Sequence, residues 1–232
     1  MAENGGLRES KKARTRLAIS DAATRLFVAR GFEEVTVAEV AEAADVSIKT
    51  VFNYFATKED LFFDRAQELQ DGLVATITER PPGATIADAL RALLTDNMVP
   101  FPGAAWGRLR DPVGYERFRG FLATEEASPA LRARRLVVSE AWSRELAPVI
   151  ARELGLREDD YRGEVYAAMV IAAMGVRART MSEAMLEGLS ARVVEKRVRA
   201  AVGEAFDRID RAFADVDRVS RRRARAGGAR SS

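Results

Sequence analysis

Apolar residues recur at helical spacing along most of the chain, whereas the alternation typical of strands does not. The first run occupies one face of an α-helix, at positions i, i+3, i+4, i+7 and i+8: Ile19, Ala22, Ala23, Leu26 and Phe27. Gly31 follows this run and suits the left-handed cap that often ends a helix. The pattern therefore predicts an all-α protein whose first helix covers residues 8–30.

Two short helices are predicted next, each from its own start signal. Thr36 and Glu39 have the spacing of a capping box, which favours a helix over 37–44. Ser47 is a second N-cap candidate and favours a helix over 48–54. Only three residues separate these two helices.

The rest of the chain is also predicted to be helical, with one irregular segment and one tail. Pro and Gly cluster between residues 98 and 114, which favours irregular structure there. The Arg-, Gly- and Ser-rich residues 218–232 are predicted to be disordered. Apolar periodicity and capping residues predict the remaining helices over residues 58–79, from Thr85 onward, and over 112–123, 129–154, 160–186 and 190–215.

The two short helices form a candidate helix-turn-helix, because a short turn joins them. In that motif the second helix enters the major groove of DNA, and its N-terminal residues lie nearest the base edges. Candidate DNA contacts are exposed residues of the second helix and polar or cationic residues at neighbouring helix starts: Thr36, Ser47, Ile48, Lys49, Thr50, Asn53, Tyr54 and Lys58.

Charge is distributed unevenly along the chain. The 37 Lys and Arg against 35 Asp and Glu give a net charge of +2. Residues 1–16 carry +3 and residues 218–232 carry +6, which leaves −7 over residues 17–217. Charge blocks at chain ends often contact polyanions, so Arg14 and Arg16 of the leading block are candidate phosphate contacts, with a solvated helix end as the open alternative.

Composition excludes several kinds of chemistry. The 232 residues include no Cys and no His, which excludes disulfides, thiol nucleophiles and Ser–His triads. We expect no cofactor and no metal site. An enzyme is the competing class, but it would depend on carboxylates such as Glu125 and Glu126, and consecutive side chains do not face each other on a helix.

Targeting and membrane signals are weak. The longest uncharged apolar run, residues 165–176, has 12 residues, whereas a membrane span needs about 20. The polar and basic first residues do not resemble a secretory signal. A cytoplasmic protein is expected. Arg outnumbers Lys 32 to 5, a bias typical of GC-rich bacterial genomes.

A dense set of apolar, glycine and polar positions surrounds the candidate helix-turn-helix: Leu26, Phe27, Gly31, Phe32, Thr36, Val37, Val40, Ala41, Val46, Ser47, Thr50, Val51, Phe52, Tyr54, Phe55, Lys58 and Leu61. In these positions the segment resembles the DNA-binding segment of TetR-family transcriptional regulators. Asp45 departs from the pattern, since the family often has Gly in the turn, and we expect a strained or Asp-adapted turn there.

The resemblance implies a domain organisation. It implies a DNA-binding domain over residues 1–56, a ligand-binding and dimerisation domain over 57–217, and the tail over 218–232. In this family the last two long helices build the dimer interface, which implies contacts by Ala168, Ala172, Val198, Val202 and Phe206. Candidate ligand contacts, for which plain core packing is an open alternative, are Asn97, Trp106, Tyr115, Phe118, Arg119, Trp142 and Tyr166.

Together, the motif and the resemblance predict a homodimeric repressor that binds a palindromic operator in double-stranded DNA. A small-molecule effector is expected to release it. An activator, a regulator without a small ligand and a helical adaptor that binds protein are the alternatives.

Overall fold

A computed structural model describes residues 3–97 and 109–228, with side chains over 10–97 and 109–216. Regular structure within these ranges is α-helical, which confirms the predicted fold class. No helix in the described ranges has both the length and the apolar character that crossing a membrane requires. The helices are α1 (Glu3–Arg30), α2 (Val37–Ala43), α3 (Ile48–Tyr54), α4 (Lys58–Phe62), α5 (Ala66–Thr78), α6 (Ile86–Asp96), α7 (Pro112–Ala127), α8 (Pro129–Glu153), α9 (Tyr161–Leu186) and α10 (Ala191–Gly228).

The predicted start signals of the short helices are confirmed. The Thr36 hydroxyl accepts a hydrogen bond from the Glu39 backbone N–H at 3.3 Å, and the Glu39 carboxylate accepts one from the Thr36 N–H at 2.7 Å. The Ser47 hydroxyl accepts a hydrogen bond from the Thr50 N–H at 3.0 Å. Caps of this kind stabilise a helix by about 1 kcal/mol each, which is substantial for helices of seven residues.

Two predicted segments differ in the structure. The helix expected over 58–79 is divided into α4 and α5, and the break coincides with a contact between the Asp64 carboxylate and Arg16 at 2.6 Å. That contact joins residues 48 positions apart, so local periodicity could not reveal it. The tail expected to be disordered from residue 218 is instead part of α10 as far as Gly228, in keeping with the good helix propensity of Arg and Ala.

The chain divides into two compact units, and unit 1 comprises residues 1–66 and 116–136. This division differs from the predicted boundary at residue 56, because α4 contributes buried Leu61 and Phe62 to the core of unit 1. Leu131 from α8 joins the same core. The buried core of unit 1 is Ile19, Ala23, Phe27, Phe32, Val35, Val40, Ala41, Val51, Phe55, Leu61, Phe62 and Leu131.

Unit 2 comprises residues 67–115 and 137–232, and in it α10 packs against α9 and α6. The structure corrects the prediction that Val198, Val202 and Phe206 form the dimer interface, because all three side chains are fully buried inside the subunit. An apolar stripe at helical spacing indicates burial but not which surface covers it. Ala168 and Ala172 of α9, by contrast, are exposed.

Gly163 permits a close approach between α8 and α9 in unit 2. A Cβ at this position would lie 2.6 Å from the Ala147 carbonyl oxygen and 2.9 Å from the Ala151 Cβ. Real Cβ atoms do not approach backbone atoms so closely, so any side chain here would push the helices apart.

We predict that Gly163→Ala destabilises the protein by about 1–3 kcal/mol, the usual effect of overpacking. Gly203→Ala is the matched control, since nothing lies within 4 Å of a Cβ there, and the better helix propensity of Ala should stabilise α10 by about 0.5–1 kcal/mol. Urea unfolding followed by circular dichroism measures both changes. Stabilisation by both substitutions would contradict the close packing of α8 on α9.

Candidate nucleic-acid interface

The turn between α2 and α3 is closed by backbone hydrogen bonds around a left-handed residue. The Val46 N–H donates to the Ala41 carbonyl at 2.9 Å, and the Asp45 N–H donates to the Glu42 carbonyl at 3.1 Å. This is the Schellman pattern, in which the residue after the cap adopts positive φ. Asp45 has φ of 53°, which confirms an Asp-adapted turn. The short Asp side chain tolerates this conformation better than most others do.

The inner side of α3 is fixed in the core of unit 1. Val51 and Phe55 are buried, with only 1% and 2% of their surfaces exposed. They are four residues apart and therefore lie on one face of the helix. Their burial determines which of the remaining side chains point away from the protein.

Four residues form the outer face of α3: Ile48, Lys49, Phe52 and Asn53, all exposed. Thr50 and Tyr54, which were predicted to lie on this surface, are only partly exposed. The Thr50 hydroxyl lies 2.8 Å from the Ser47 hydroxyl and hydrogen-bonds to it. Sequence reasoning missed Phe52 as an exposed residue of this face, although its position four residues after Ile48 was a sufficient signal.

An open groove of about 310 Å³ lies between α1 and the C-terminal end of α3. Its lining includes Lys12, which the sequence had not singled out, together with Asn53 and Tyr54. Lys12 and Arg14 are exposed on α1. The groove thus combines a cation with the polar end of the recognition helix, a suitable setting for a phosphate group.

Arg16 also lines this groove, but its guanidinium is engaged within the protein. It donates to the Tyr54 carbonyl at 3.2 Å, lies 2.6 Å from the Asp64 carboxylate and sits 4.6 Å from the centre of the Phe55 ring. These contacts hold the C-terminal end of α3 against α1. The structure therefore favours a positioning role for Arg16 over the predicted phosphate contact, whereas Arg14 remains exposed.

Lys58 is partly buried at the first turn of α4. Its Nζ atom lies 4.3 Å from the centre of the Phe32 ring and 3.4 Å from the Glu33 carbonyl oxygen. A cation over an aromatic face is attracted to the ring. Lys58 thus has an intramolecular role alongside the DNA contact predicted for it.

Thr36 is engaged by a neighbouring carboxylate. Its hydroxyl donates to Glu39 at 2.8 Å, and Arg30 lies 2.7 Å from the other Glu39 oxygen. Hydrogen bonds from the Thr36 backbone and from Arg30 lower the pKa of Glu39 to about 2. Glu39 is therefore ionised at neutral pH, and its negative charge opposes the approach of a phosphate to Thr36.

Two of the candidate ligand residues belong to unit 1. Phe118 stacks against Phe121 at 6.2 Å, and Phe121 stacks against Phe62 at 4.2 Å between ring centres. Arg119 forms an ion pair with Glu116 at 2.6 Å. The Phe118 side chain thus belongs to an aromatic cluster around α4, which core packing explains.

Four further ligand candidates belong to unit 2, and Trp106 lies outside the described residues. The Asn97 side chain donates to the Leu93 carbonyl at 3.0 Å, which closes the end of α6. The Tyr115 hydroxyl donates to the Leu189 carbonyl. Trp142 is partly buried.

Tyr166 is the most deeply buried of the ligand candidates. Its side chain has no exposed area, and its ring centre lies 4.5 Å from that of Phe213 on α10. Packing of this kind holds α9 against α10. A ligand role for these residues stays a prediction.

The fold and the outer face of α3 define a helix-turn-helix DNA-binding protein with a second helical unit. Residues 19–64 match the model of the family described as bacterial regulatory proteins, tetR family. The transcriptional regulator TcmR of Streptomyces glaucescens is 31% identical over 175 residues, which cover 73% of this chain and 74% of that protein. The regulator MftR of Mycobacterium tuberculosis is 31% identical over 207 residues, covering 87% and 91%.

A crystal structure of a TetR-family regulator from Streptomyces coelicolor is 21% identical, with 90% of this chain and 88% of that chain covered and a TM-score of 0.44. From the extended sequence matches, the chain belongs to the TetR family of transcriptional regulators. It is a DNA-binding regulator of transcription and not an enzyme.

We predict that Asp45→Gly leaves the protein more stable than Asp45→Ala does. Ala at φ of 53° carries the left-handed penalty of about 1–2 kcal/mol, which Gly avoids. The Gly variant should therefore be more stable than the Ala variant by about 1 kcal/mol. Guanidinium unfolding of the two variants tests this expectation. Equal stability would mean that the turn does not require the left-handed conformation.

Proposed function

We propose that the protein is a homodimeric repressor that binds a palindromic operator through the outer face of α3 and is released by a small-molecule effector. The observation that carries the proposal is the exposed outer face, presented by a helix whose inner side is locked in the core. Lys49 and Asn53 on that face suit hydrogen bonds to base edges, since Lys commonly pairs with guanine and Asn with adenine.

Phosphate contacts are assigned to a small number of exposed cations. Lys12 and Arg14 on α1 and Lys49 on α3 are exposed, and Tyr54 lines the same groove as Lys12. Residues 17–61 contain four Lys and Arg against eight Asp and Glu. The helix-turn-helix segment itself therefore contributes little positive charge, so phosphate binding should depend on Lys49 and on the exposed cations of α1.

The exposed face of α9 supports dimerisation. Tyr161, Val165, Ala168 and Ala172 follow one another at intervals of four, three and four residues, and all are exposed. This spacing forms a nearly straight seam along a helix, as in helix pairs that pack side by side. In a two-fold dimer the same seam serves both subunits, and the two recognition helices then meet half-sites about 34–36 Å apart, or a multiple of this distance.

Chain connectivity supports effector control. α7 and α8 each run as one helix from one unit into the other, and Leu131 of α8 is buried in the core that also holds α3. An effector that binds more tightly to a state with α8 shifted would therefore lower the population of the DNA-binding state. The size of this shift is set by the difference between its affinities for the two states. We assign repression rather than activation because a protein bound at an operator can block transcription without any further partner.

The DNA-binding proposal predicts different salt dependences for two variants. A duplex selected from a random pool is titrated with protein at several salt concentrations and followed by fluorescence anisotropy. Lys12→Ala should lower affinity and reduce the slope of log K against log salt by about 1, because one phosphate contact is lost. Arg16→Ala should lower affinity without changing the slope, since Arg16 positions α3. A reduced slope for Arg16→Ala would show that it contacts phosphate.

The dimer proposal predicts that Ala172→Arg separates the subunits but leaves the fold intact. A large charged side chain on the α9 seam would be desolvated against its symmetry copy. Val198→Ala is the contrasting variant, because it should lower the free energy of unfolding by about 2 kcal/mol without changing subunit association. Analytical ultracentrifugation and thermal unfolding separate the two effects. An unchanged dimer in Ala172→Arg would place the interface elsewhere.

A further inference from the structure

The outer face of α3 contains two large apolar side chains that remain about half exposed. Ile48 is 47% exposed and Phe52 is 52% exposed. The attachment of α3 to the core is provided by Val51 and Phe55, on the other side of the helix. Substituting Ile48 or Phe52 should therefore disturb folding less than substituting Val51 or Phe55, and the two side chains together offer an apolar contact to another molecule.

The outer face divides into two parallel rows. Ile48 and Phe52 are four residues apart and form an apolar row, and Lys49 and Asn53 form a polar row beside it. Each member of the polar row follows its apolar neighbour by one residue, a rotation of about 100°. The partner of this face must therefore present apolar groups next to hydrogen-bonding groups within a narrow strip.

The major groove of DNA presents such a strip. The C5-methyl group of thymine is the apolar feature on its base edges, and it lies among the donors and acceptors of neighbouring bases. Ile48 and Phe52 are about 6 Å apart along the helix axis, close to the separation of two base-pair steps of about 3.4 Å each. The cationic groove lined by Lys12 adjoins the polar row at Asn53, which favours a polyanion over an apolar protein surface.

We infer that the apolar row of α3 recognises thymine C5-methyl groups in each operator half-site. This inference rests on the proposed function and extends it, because it names a chemical feature of the operator and the two side chains that select it. The polar row would hydrogen-bond to the adjacent bases. Selectivity would then arise from methyl contacts as well as from hydrogen bonds.

The test replaces thymine with uracil, which removes the methyl group and leaves base pairing intact. A selected duplex is prepared with single deoxyuridine substitutions at each thymine of one half-site, and dissociation constants are measured for every duplex. Wild-type protein should bind about fourfold more weakly for each contacted methyl group lost, the factor that corresponds to one buried methylene. Thymines in the flanking sequence serve as internal controls and should have no effect.

The protein variants assign the effect to the apolar row. Ile48→Ala and Phe52→Ala should each bind more weakly and lose the sensitivity to uracil at one position. Asn53→Ala is the matched control, since it should bind more weakly yet retain the sensitivity. Circular dichroism of each variant establishes that the fold is kept.

Two results would overturn the inference. One is wild-type protein that binds its selected duplex specifically but tolerates uracil at every position. The other is an unchanged uracil sensitivity in both Ile48→Ala and Phe52→Ala. If wild-type protein selects no duplex at all, the proposed function itself fails, an outcome distinguishable from the other two.

Discussion

Val51 and Phe55 hold the recognition helix to the protein, and the geometry of the interface depends on their burial. α3 has seven residues, whereas isolated helices below about 12–15 residues are marginal in water. Its stability must therefore come from packing in the core of unit 1. The same packing fixes the rotation of the helix about its axis, so it decides that Ile48 and Asn53 are exposed and that Thr50 is only partly exposed.

Both ends of α3 are fixed by contacts of a different kind. At the N-terminal end, the left-handed turn at Asp45 and the Ser47 cap determine where the helix begins. At the C-terminal end, Arg16 binds the Tyr54 carbonyl and the Asp64 carboxylate. As a cation in a basic segment, Arg16 was a natural candidate for a phosphate contact. In the structure its guanidinium is instead paired with the Asp64 carboxylate and the Tyr54 carbonyl. Its effect on DNA would then pass through the position of α3.

Features set by neighbouring residues could be predicted from the sequence, and features set by distant contacts could not. The caps at Thr36 and Ser47 and the bounds of α2 and α3 depend on residues within four positions, and the predictions agree closely with the structure. The break between α4 and α5 coincides with a contact from Arg16, 48 residues away in the chain. The burial of Val198 within the subunit could not be predicted either. Periodicity shows that an apolar stripe is buried, but not whether it packs against its own chain or against a second copy.

The charge distribution and the apolar row of α3 point to the same kind of DNA recognition. Counterion release makes phosphate contacts strongly salt-dependent and indifferent to sequence, and residues 17–61 carry twice as many acids as bases. Non-specific attraction to DNA should accordingly come from the cations of α1 rather than from this segment. Apolar contacts act only at short range, and they change with the base present rather than with the salt. With Ile48 and Phe52 exposed on its outer face, α3 should therefore draw part of its specific affinity from the base edges, beside the salt-dependent contribution of the exposed cations of α1.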